Sequence, residues 1–442
     1  MTGHGKNGRR KALFAGDERG FFAEGMKTMA RTLDEWIACR RERFYRDFLA
    51  KSGRPANTPL FDCDHFEATE RGAHALLRLV LEGRKRAASS ALPAFAARGK
   101  KLPEPGALSL ITDFYGRPDC VIETETVAVV PFSDVTAELA ASEGEGDTLE
   151  SWRASHRRFF ETDGRENGYV FREDMPVVFE TFRVVYREKE PRAAVDPRAE
   201  ETVRVFAARL NGLLGGALES VYLIGSATYG DFHPGYSDLD FFFISRRPLT
   251  QTDFEKAHAL YAEYRAKNDG WFSVLEGDVV HRDALASGEC DTLYWGTSRD
   301  RFKPRCDLSG YSMRSFLAHG VLLEGIEQRA RIPWPEEAVI RAQARHMCDT
   351  VRDYAGQAGE NAHYADWLLL LSQTLYTLIT GSTTGKTAAT KWLHAHVEDA
   401  ALKIALAAAL DVRFHPETYR KSLGETFTKP MQRLREDIAA LL

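Results

Sequence analysis

The chain has 442 residues, a formal net charge of -5 and 28% charged side chains. At roughly 100–200 residues per domain, this length predicts two or three domains. The slightly acidic balance argues against a protein coated with nucleic acid over its whole surface, and it leaves a local basic patch open. The six cysteines form no CxxC pair, which argues against a zinc site or a disulfide framework. No apolar run approaches the roughly 18 residues of a membrane span, and the N-terminus lacks a signal-peptide core. We therefore expect a cytoplasmic protein with no membrane partner.

Residues 1–31 are basic and contain several glycines, which predicts a disordered arm. Residues 32–187 alternate between helical and extended patterns. Helices are predicted at about 32–50, 68–82, 133–141 and 148–162, and strands at about 107–112, 120–130, 176–179 and 181–187. Helices around several strands that pair non-locally predict a compact β-barrel of mixed α+β class.

Four short motifs follow one another in this first region. They are Phe44-Tyr-Arg-Asp-Phe48, Gly83-Arg-Lys85-Arg-Ala-Ala-Ser89, Val129-Val-Pro131-Phe132 and Glu173-Asp174-Met175-Pro176-Val-Val. Together they resemble the ASCH domain, a PUA-like barrel family linked to RNA and modified nucleosides. The resemblance implies that residues 32–187 fold as such a barrel and bind RNA or a nucleoside.

Some members of that family are small amidohydrolases that act on N4-acetylcytidine. They use a lysine after the glycine, a threonine three residues beyond it, and a glutamate on a strand. Lys85 matches the lysine, but Ala88 stands at the threonine position, with Ser89 as the nearest hydroxyl. The glutamate could be Glu123 or Glu125, which strand alternation puts on one face. The missing threonine hydroxyl argues against hydrolysis.

The basic cluster at residues 84–86 has two interpretations. Lys85 and Arg86 could hold a phosphate or a nucleobase-bearing ligand. Alternatively, the cluster is a solvated helix end, where basic side chains also favour the helix dipole. The sequence leaves both open.

Residues 188–200 are charged and contain Pro191 and Pro197, a composition that predicts a linker between domains. A helix is predicted from Thr202 to about Leu214, and strands and helices then alternate. We assign residues 201–308 to an α/β core.

The most informative stretch lies at residues 221–244. An apolar, β-prone run ends at Gly225-Ser226, and after a turn-rich connector a second apolar run begins with Asp238-Leu-Asp240. Alternate strand residues share a face, so Asp238 and Asp240 should project side by side. Adjacent carboxylates repel each other, and Mg²⁺ suits them because it takes one or two carboxylates plus substrate phosphates. The Gly-Ser corner lets a triphosphate approach the backbone closely.

This layout resembles the nucleotidyltransferase superfamily, whose signature is a Gly-Ser corner, a spacer of about this length, and Asp-x-Asp on the next strand. The family's third carboxylate lies on a later strand, where Glu276 is the better candidate and Asp278 the reserve. The resemblance implies ATP as co-substrate and Mg²⁺ on Asp238 and Asp240. On this interpretation, Gly225 and Ser226 bind the phosphates, and Glu276 accepts the proton of the attacking hydroxyl.

Residues 309–442 are predicted to form a helical domain, with helices that include 315–323 and 365–380. The segment from Gly381 to Thr387 invites comparison with a P-loop. Only three residues separate Gly381 from Gly385 where a P-loop has four, and a helix rather than a strand precedes it. We predict a helix end, a loop and a new helix.

The same segment resembles the C-terminal helical domain of streptomycin/spectinomycin adenylyltransferases. The resemblance is carried by Leu375-Tyr376-Thr-Leu-Ile-Thr-Gly381, by Lys386 and by Ala388-Ala-Thr-Lys-Trp392. It implies that Lys386 reaches the triphosphate and that Asp366, with nearby Glu360, contacts the substrate. A cationic, aminoglycoside-like acceptor would suit a cleft lined with carboxylates.

Three functions are therefore open. The first is Mg²⁺- and ATP-dependent adenylylation of a hydroxyl on a small, aminoglycoside-like molecule. The second is a nucleotidyltransferase directed to RNA or another macromolecule by the first domain. The third is a pure binding protein with an inactive catalytic half, against which the intact set of three acidic residues argues.

Overall fold

The computed structural model describes residues 32–146, 148–188, 194–267, 270–287, 292–295, 302–303 and 310–442. The predicted basic arm at 1–31 lies outside the described residues. The rest contains a curled sheet with helices, a second mixed sheet and a helical C-terminal part, so the predicted fold class is confirmed. None of the described helices has the length and apolar character needed to cross a membrane.

The first sheet is a five-stranded half-barrel with the order β1-β3-β4-β5-β2. Strands β1 and β3 pair in parallel, and the other pairs are antiparallel. Its elements are α1 Leu33–Ser52, β1 Asp62–Asp64, α2 Glu70–Leu81, β2 Ala87–Ala91, α3 Leu92–Ala97, β3 Leu108–Thr112, β4 Pro118–Pro131, α4 Ala137–Glu143, α5 Leu149–Asn167 and β5 Pro176–Arg187.

Several details of this unit differ from the sequence predictions. The strands predicted at 176–179 and 181–187 are one strand, β5, whose pairing with β4 shifts in register between Val121 and Ile122 and again between Thr124 and Thr126. Strand β2 was not predicted, because its sequence Ala-Ala-Ser-Ser-Ala lacks the β-branched and aromatic residues that mark a strand.

The second sheet has six strands in the order β10-β9-β8-β7-β6-β11. Only β7 and β8 pair in parallel among its described strands. Its elements are α6 Pro197–Leu213, β6 Leu218–Leu223, β7 Leu239–Ser245, α7 Gln251–Lys267, β8 Leu275–His281, α8 Ala284–Ser287, β9 Thr292–Trp295, β10 Phe302–Lys303, α9 Gly310–His319 and β11 Val321–Gly325.

Two predictions for this unit were wrong in detail. Helix α6 begins at Pro197, inside the predicted linker, with Asp196 as its N-cap. Proline fits the first helical turn because the N–H that it lacks would have no partner there. Residues 321–323, predicted as the end of a helix over 315–323, belong to the edge strand β11, which pairs with β6. A short apolar run does not distinguish a strand from a buried helix.

The C-terminal part packs five helices around one apolar core. Gly381 ends the second of them in the left-handed conformation (φ 74°), and Gly385 is the N-cap of the third, as predicted for a helix end, a loop and a new helix. The helices are α10 Glu337–Tyr354, α11 Asp366–Thr380, α12 Lys386–His396, α13 Ala400–Phe414 and α14 Lys421–Leu441.

Helix α1 contributes to two cores. Its first turns place Leu33, Trp36 and Ile37 in the core of the C-terminal helices. Further along, Phe44 and Phe48 pack against the half-barrel sheet. Because one rigid helix is fixed in both cores, the half-barrel is packed onto the C-terminal helices as well as connected to the second sheet through the chain.

Candidate active site

Strands β7 and β8 bring two acidic residues together at their beginnings. They run in parallel, and Asp240 lies directly opposite Glu276 in their register. Leu239, Phe241 and Phe243 point to the core with α6 and α7. Successive strand residues alternate in direction, so Asp240 and Glu276 project from the opposite face. Pairing between neighbouring strands thus places the two carboxylates side by side.

The register also separates the two candidates for the third carboxylate. Asp278 is on the same face of β8 as Glu276, but it lies opposite Phe242 and is buried. Glu276 is the residue beside Asp240, and the Tyr294 hydroxyl of β9 donates a hydrogen bond to its carboxylate. The structure therefore favours Glu276 over Asp278 as the partner of Asp240.

The Gly225-Ser226 corner lies against Asp240. The Ile224 N–H donates to the Asp240 carbonyl at 3.0 Å, which ties the end of β6 to β7. Gly225 has φ 67°, and a Cβ there would overlap the Asp240 carboxylate, so only glycine fits this corner. The Ser226 hydroxyl is buried and has no hydrogen-bond partner among the described residues. A buried hydroxyl of this kind is available to a ligand.

The electrostatics at Asp240 favour a bound cation. Burial raises the pKa of Asp240 well above its ordinary value, and the nearby charges of Glu276 and Asp238 raise it further. The charge of Lys386 and the backbone N–H of Ser226 act in the opposite direction. Carboxylates crowded in this way carry an electrostatic cost that a cation with oxygen ligands offsets.

Lys386 reaches this site from the helical part as the first residue of α12. Its ammonium lies 3.1 Å from Asp366, at the start of α11, and His363 lies 3.0 Å from the other Asp366 oxygen. Burial alone would raise the pKa of Asp366, but Lys386 and His363 outweigh burial and lower it to about 2. Glu360 is exposed, and its charge contributes to raising the pKa of Tyr419. Asp366, but not Glu360, thus contacts Lys386.

A second polar cluster lies in the half-barrel unit. Lys85 is only 2% exposed, and its ammonium contacts Glu143 at 3.2 Å and also Glu145. Glu143 in turn accepts hydrogen bonds from Trp152 at 3.1 Å and from His156 at 3.3 Å. Burial would raise the pKa of Glu143, but Lys85 and His156 lower it to about 2. Lys85 is therefore not part of a solvated helix end.

Comparison with protein-family models matches residues 62–186 to the ASCH domain and residues 206–305 to the nucleotidyltransferase domain. The N-terminal part belongs to the ASCH family, and a nucleotidyltransferase domain follows it. The chain is accordingly a nucleotidyltransferase. A comparison with curated protein sequences finds no match.

Three solved structures are similar to parts of the chain. An ASCH domain from Lactobacillus crispatus JV V101 has 37% identity, with 34% of this chain and 95% of that chain covered and a TM-score of 0.32. A protein from Enterococcus faecalis V583 has 30% identity, with coverage of 34% and 88% and a TM-score of 0.31. A spectinomycin adenyltransferase from Enterococcus faecialis, crystallised with ATP and spectinomycin, has 14% identity, with coverage of 54% and 98% and a TM-score of 0.43.

In the ASCH domain, the structure separates the predicted ligand residues. Glu123 pairs with Arg54 at 3.1 Å and with Arg183 at 2.6 Å, and Glu125 lies 3.7 Å from Arg183. Arg86 is exposed. The carboxylates that contact Lys85 are instead those of Glu143 and Glu145.

The sequence reasoning missed Glu143 and Glu145 because it searched only strands for the glutamate. Glu143 ends helix α4, and Glu145 follows it in the loop. Ser89, by contrast, is close to this cluster, and its hydroxyl contributes to lowering the Glu143 pKa.

In the nucleotidyltransferase part, the sequence reasoning missed the residue that holds the start of α12. The carboxylate of Asp231 accepts a hydrogen bond from the Thr387 N–H at 3.0 Å and pairs with Arg413 at 3.1 Å. A Cβ on Gly385 would lie 2.7 Å from that carboxylate. No local signal identifies this role of Asp231, because Thr387 and Arg413 lie more than 150 residues further along the chain.

Proposed function

We propose that the protein is a Mg²⁺- and ATP-dependent adenylyltransferase. Its acceptor would be a hydroxyl on a small, amino-bearing, aminoglycoside-like molecule. The observation that carries this proposal is the pairing of Asp240 with Glu276 beside the Gly225-Ser226 corner. Lys386 is close enough for its positive charge to lower the pKa of Asp240. A cytoplasmic location stays a prediction from the sequence.

The donor set fits a hard divalent cation. Asp238 and Asp240 offer carboxylate oxygens, and the raised pKa of Asp240 reflects burial together with the charges of its neighbours. When bound, Mg²⁺ neutralises charge on the phosphates during transfer. We assign Asp238 and Asp240 as its protein ligands.

The remaining roles follow from chemistry and position. The Ser226 hydroxyl and the backbone at Gly225 would hold the phosphates. Lys386 would bind the triphosphate from the helical side. Glu276 would accept the proton of the attacking hydroxyl, and the hydrogen bond from Tyr294 orients it for that role.

The environment of Asp366 supports a cationic acceptor. Its carboxylate is half-buried and ionised, and Lys386 supplies part of the positive charge that balances it. If Lys386 turns toward a triphosphate, Asp366 loses its contact with the lysine and keeps the one with His363. An amino group on the acceptor would then replace the lysine.

The decisive experiment incubates the purified protein with α-labelled ATP and either spectinomycin or total RNA. Label on spectinomycin, dependent on Mg²⁺, is the expected result. Label transferred only to RNA would overturn the small-molecule acceptor and establish the alternative. The Asp240→Asn variant serves as the blank for adventitious transfer.

The alternative, a nucleotidyltransferase directed to RNA or another macromolecule, is favoured by one feature of the fold. The ASCH domain is packed onto the C-terminal helices through α1, and ASCH family members are linked to RNA. On this alternative, the ASCH domain would bind RNA or a nucleoside near the Lys85 cluster.

Replacing Lys386 with methionine should raise the KM for ATP by about 10- to 100-fold, the loss expected for one charge-assisted contact. Asp366→Asn is the matched variant, because it keeps the lysine and removes its partner. That variant should raise the KM for the acceptor and leave the KM for ATP nearly unchanged. Steady-state kinetics with each substrate varied in turn measure both effects. Equal effects of the two substitutions on both KM values would contradict these roles.

A further inference from the structure

We infer that the ASCH domain positions Lys386 in the transferase site, and that Arg117 is the positioning residue through which it does so. The inference rests on the proposed function of Lys386 as a phosphate ligand. Arg117 is the last residue of the turn that joins β3 to β4 in the ASCH sheet, immediately before Pro118, where β4 begins.

The Arg117 guanidinium is buried between the two parts of the chain. The side chain is 1% exposed, and its two terminal nitrogens donate to the two carboxylate oxygens of Glu337 on α10, at 3.1 and 2.5 Å. It also donates to Asp113 at 3.1 Å and to the Leu378 carbonyl, in the last turn of α11, at 2.9 Å. The planar fork of arginine makes this set of contacts possible, and lysine cannot reproduce it.

These contacts lie directly against the loop that leads to Lys386. A Cβ on Gly381 would be 2.9 Å from the Arg117 side chain and 3.1 Å from Asp113, so the loop begins in contact with the ASCH hairpin. Arg314 ties the same point to α9 by donating to the Gly381 carbonyl at 3.3 Å. Lys386 follows five residues after Gly381.

The far end of helix α12 also contacts the ASCH domain. The ring of Trp392 lies 6.2 Å from that of Trp36 on α1, and Arg43 of α1 contacts His396, the last residue of α12. The helix that starts with Lys386 is therefore contacted by ASCH residues at its end and reached through the Arg117 contacts at its start.

A geometric role explains the buried charges better than stability does. Glu337 is 1% exposed, and the positive charges of its arginine neighbours offset the cost of burying its carboxylate. Burying an ion pair often contributes little net stability compared with apolar side chains of similar size. What such a pair fixes is the relative position of the elements that carry it. In this protein, those elements are the ASCH hairpin, α10 and the end of α11.

The first test measures amide hydrogen exchange in the full chain without nucleotide. Arg117→Met should speed exchange at residues 381–387 by about 10-fold or more, because local opening no longer has to break the contacts with Glu337 and Leu378. Exchange in β7 and β8 should be unchanged. Arg117→Lys, which keeps the charge but not the fork, should give an intermediate increase and replaces the methionine variant if that protein does not fold.

Phe160→Leu is the control for general loosening of the ASCH domain. Phe160 is fully buried in a separate ASCH core cluster, with no member from the C-terminal helices. This variant should leave exchange at 381–387 at the wild-type rate. The inference is overturned if that segment exchanges equally in wild type and a folded Arg117 variant, or if Phe160→Leu accelerates it as much.

The second test is kinetic. Arg117→Met should raise the KM for ATP by about 10-fold with a smaller change in kcat, because a misplaced Lys386 weakens nucleotide binding. Unchanged KM values in an active variant would refute the positioning role. If the wild-type protein transfers no label to any acceptor, the proposed function fails, and the exchange experiment still decides whether Arg117 holds the 381–387 segment.

Discussion

The Asp240→Asn substitution should reduce kcat/KM for nucleotidyl transfer by about 10³-fold or more, because it removes a ligand of the cation that stabilises charge on the transferred phosphate. The same substitution should make the metal-free protein more stable. This second effect follows from the environment of Asp240, where burial and the charges of Glu276 and Asp238 raise the pKa of the carboxyl well above its ordinary value.

Because the pKa of Asp240 is raised, the sign of its effect on stability as a function of pH can be worked out. A carboxyl whose pKa is higher in the folded than in the unfolded protein binds its proton more tightly when folded. Its favourable contribution is complete below the unfolded pKa of about 3.9 and is lost as pH rises through the folded pKa. At neutral pH, the Asp240 side chain therefore destabilises the metal-free protein, and asparagine removes that cost. Mg²⁺ should stabilise the wild type and have little effect on the variant.

Thermal unfolding with and without MgCl₂, from pH 4 to pH 8, measures these effects. Asp253→Asn is a suitable control in the same domain. A hydrogen bond from Arg247 lowers the pKa of Asp253, with further help from Thr250. That control should lower stability at neutral pH and keep the response to Mg²⁺. An Asp240→Asn protein that still releases pyrophosphate in the presence of acceptor, or that is stabilised by Mg²⁺ as the wild type is, would remove the basis of the proposal.

Only part of the candidate site can be predicted from local patterns. Asp238 and Asp240 follow from strand alternation, since the apolar run behind them marks a buried strand. Glu276 followed from the resemblance to the nucleotidyltransferase superfamily, whose third carboxylate lies on a later strand. Lys386 followed from a motif in the tail that resembles a family, not from any physical pattern. The roles of these residues stay predictions, although the register now places Asp240 beside Glu276.

The features that the sequence did not predict depend on contacts between distant residues. Strand β11 is defined by its pairing with β6, roughly a hundred residues earlier, and its short apolar run carries no period that would mark it. Arg117 has no pattern around it that would mark its role, because its partners Glu337 and the Leu378 carbonyl lie more than 200 residues further along the chain. Lys85 was read as exposed or ligand-binding, and it is buried against two glutamates outside any strand. Propensity and spacing do not contain information of this kind.

Glu276→Gln should lower kcat by about 10²- to 10⁴-fold, the usual contribution of a general base, and leave the KM for ATP within a few-fold of the wild type. The substitution keeps the size of the side chain and a carbonyl oxygen for the Tyr294 hydroxyl, but it removes the group that accepts the proton. Initial rates over a range of ATP and acceptor concentrations measure this separation of kcat from KM.

Asp278→Asn discriminates between the two candidates for the base. Both residues lie on one face of β8, but the register places Glu276 opposite Asp240 and Asp278 opposite the apolar Phe242. A base must lie within hydrogen-bond reach of the hydroxyl that it deprotonates, and that hydroxyl must approach the phosphate held near Asp240. Asp278→Asn should therefore change kcat by less than about 10-fold. If instead Asp278→Asn eliminates turnover and Glu276→Gln does not, the base is Asp278, two residues further along β8. The acceptor must then enter from the side of Phe242.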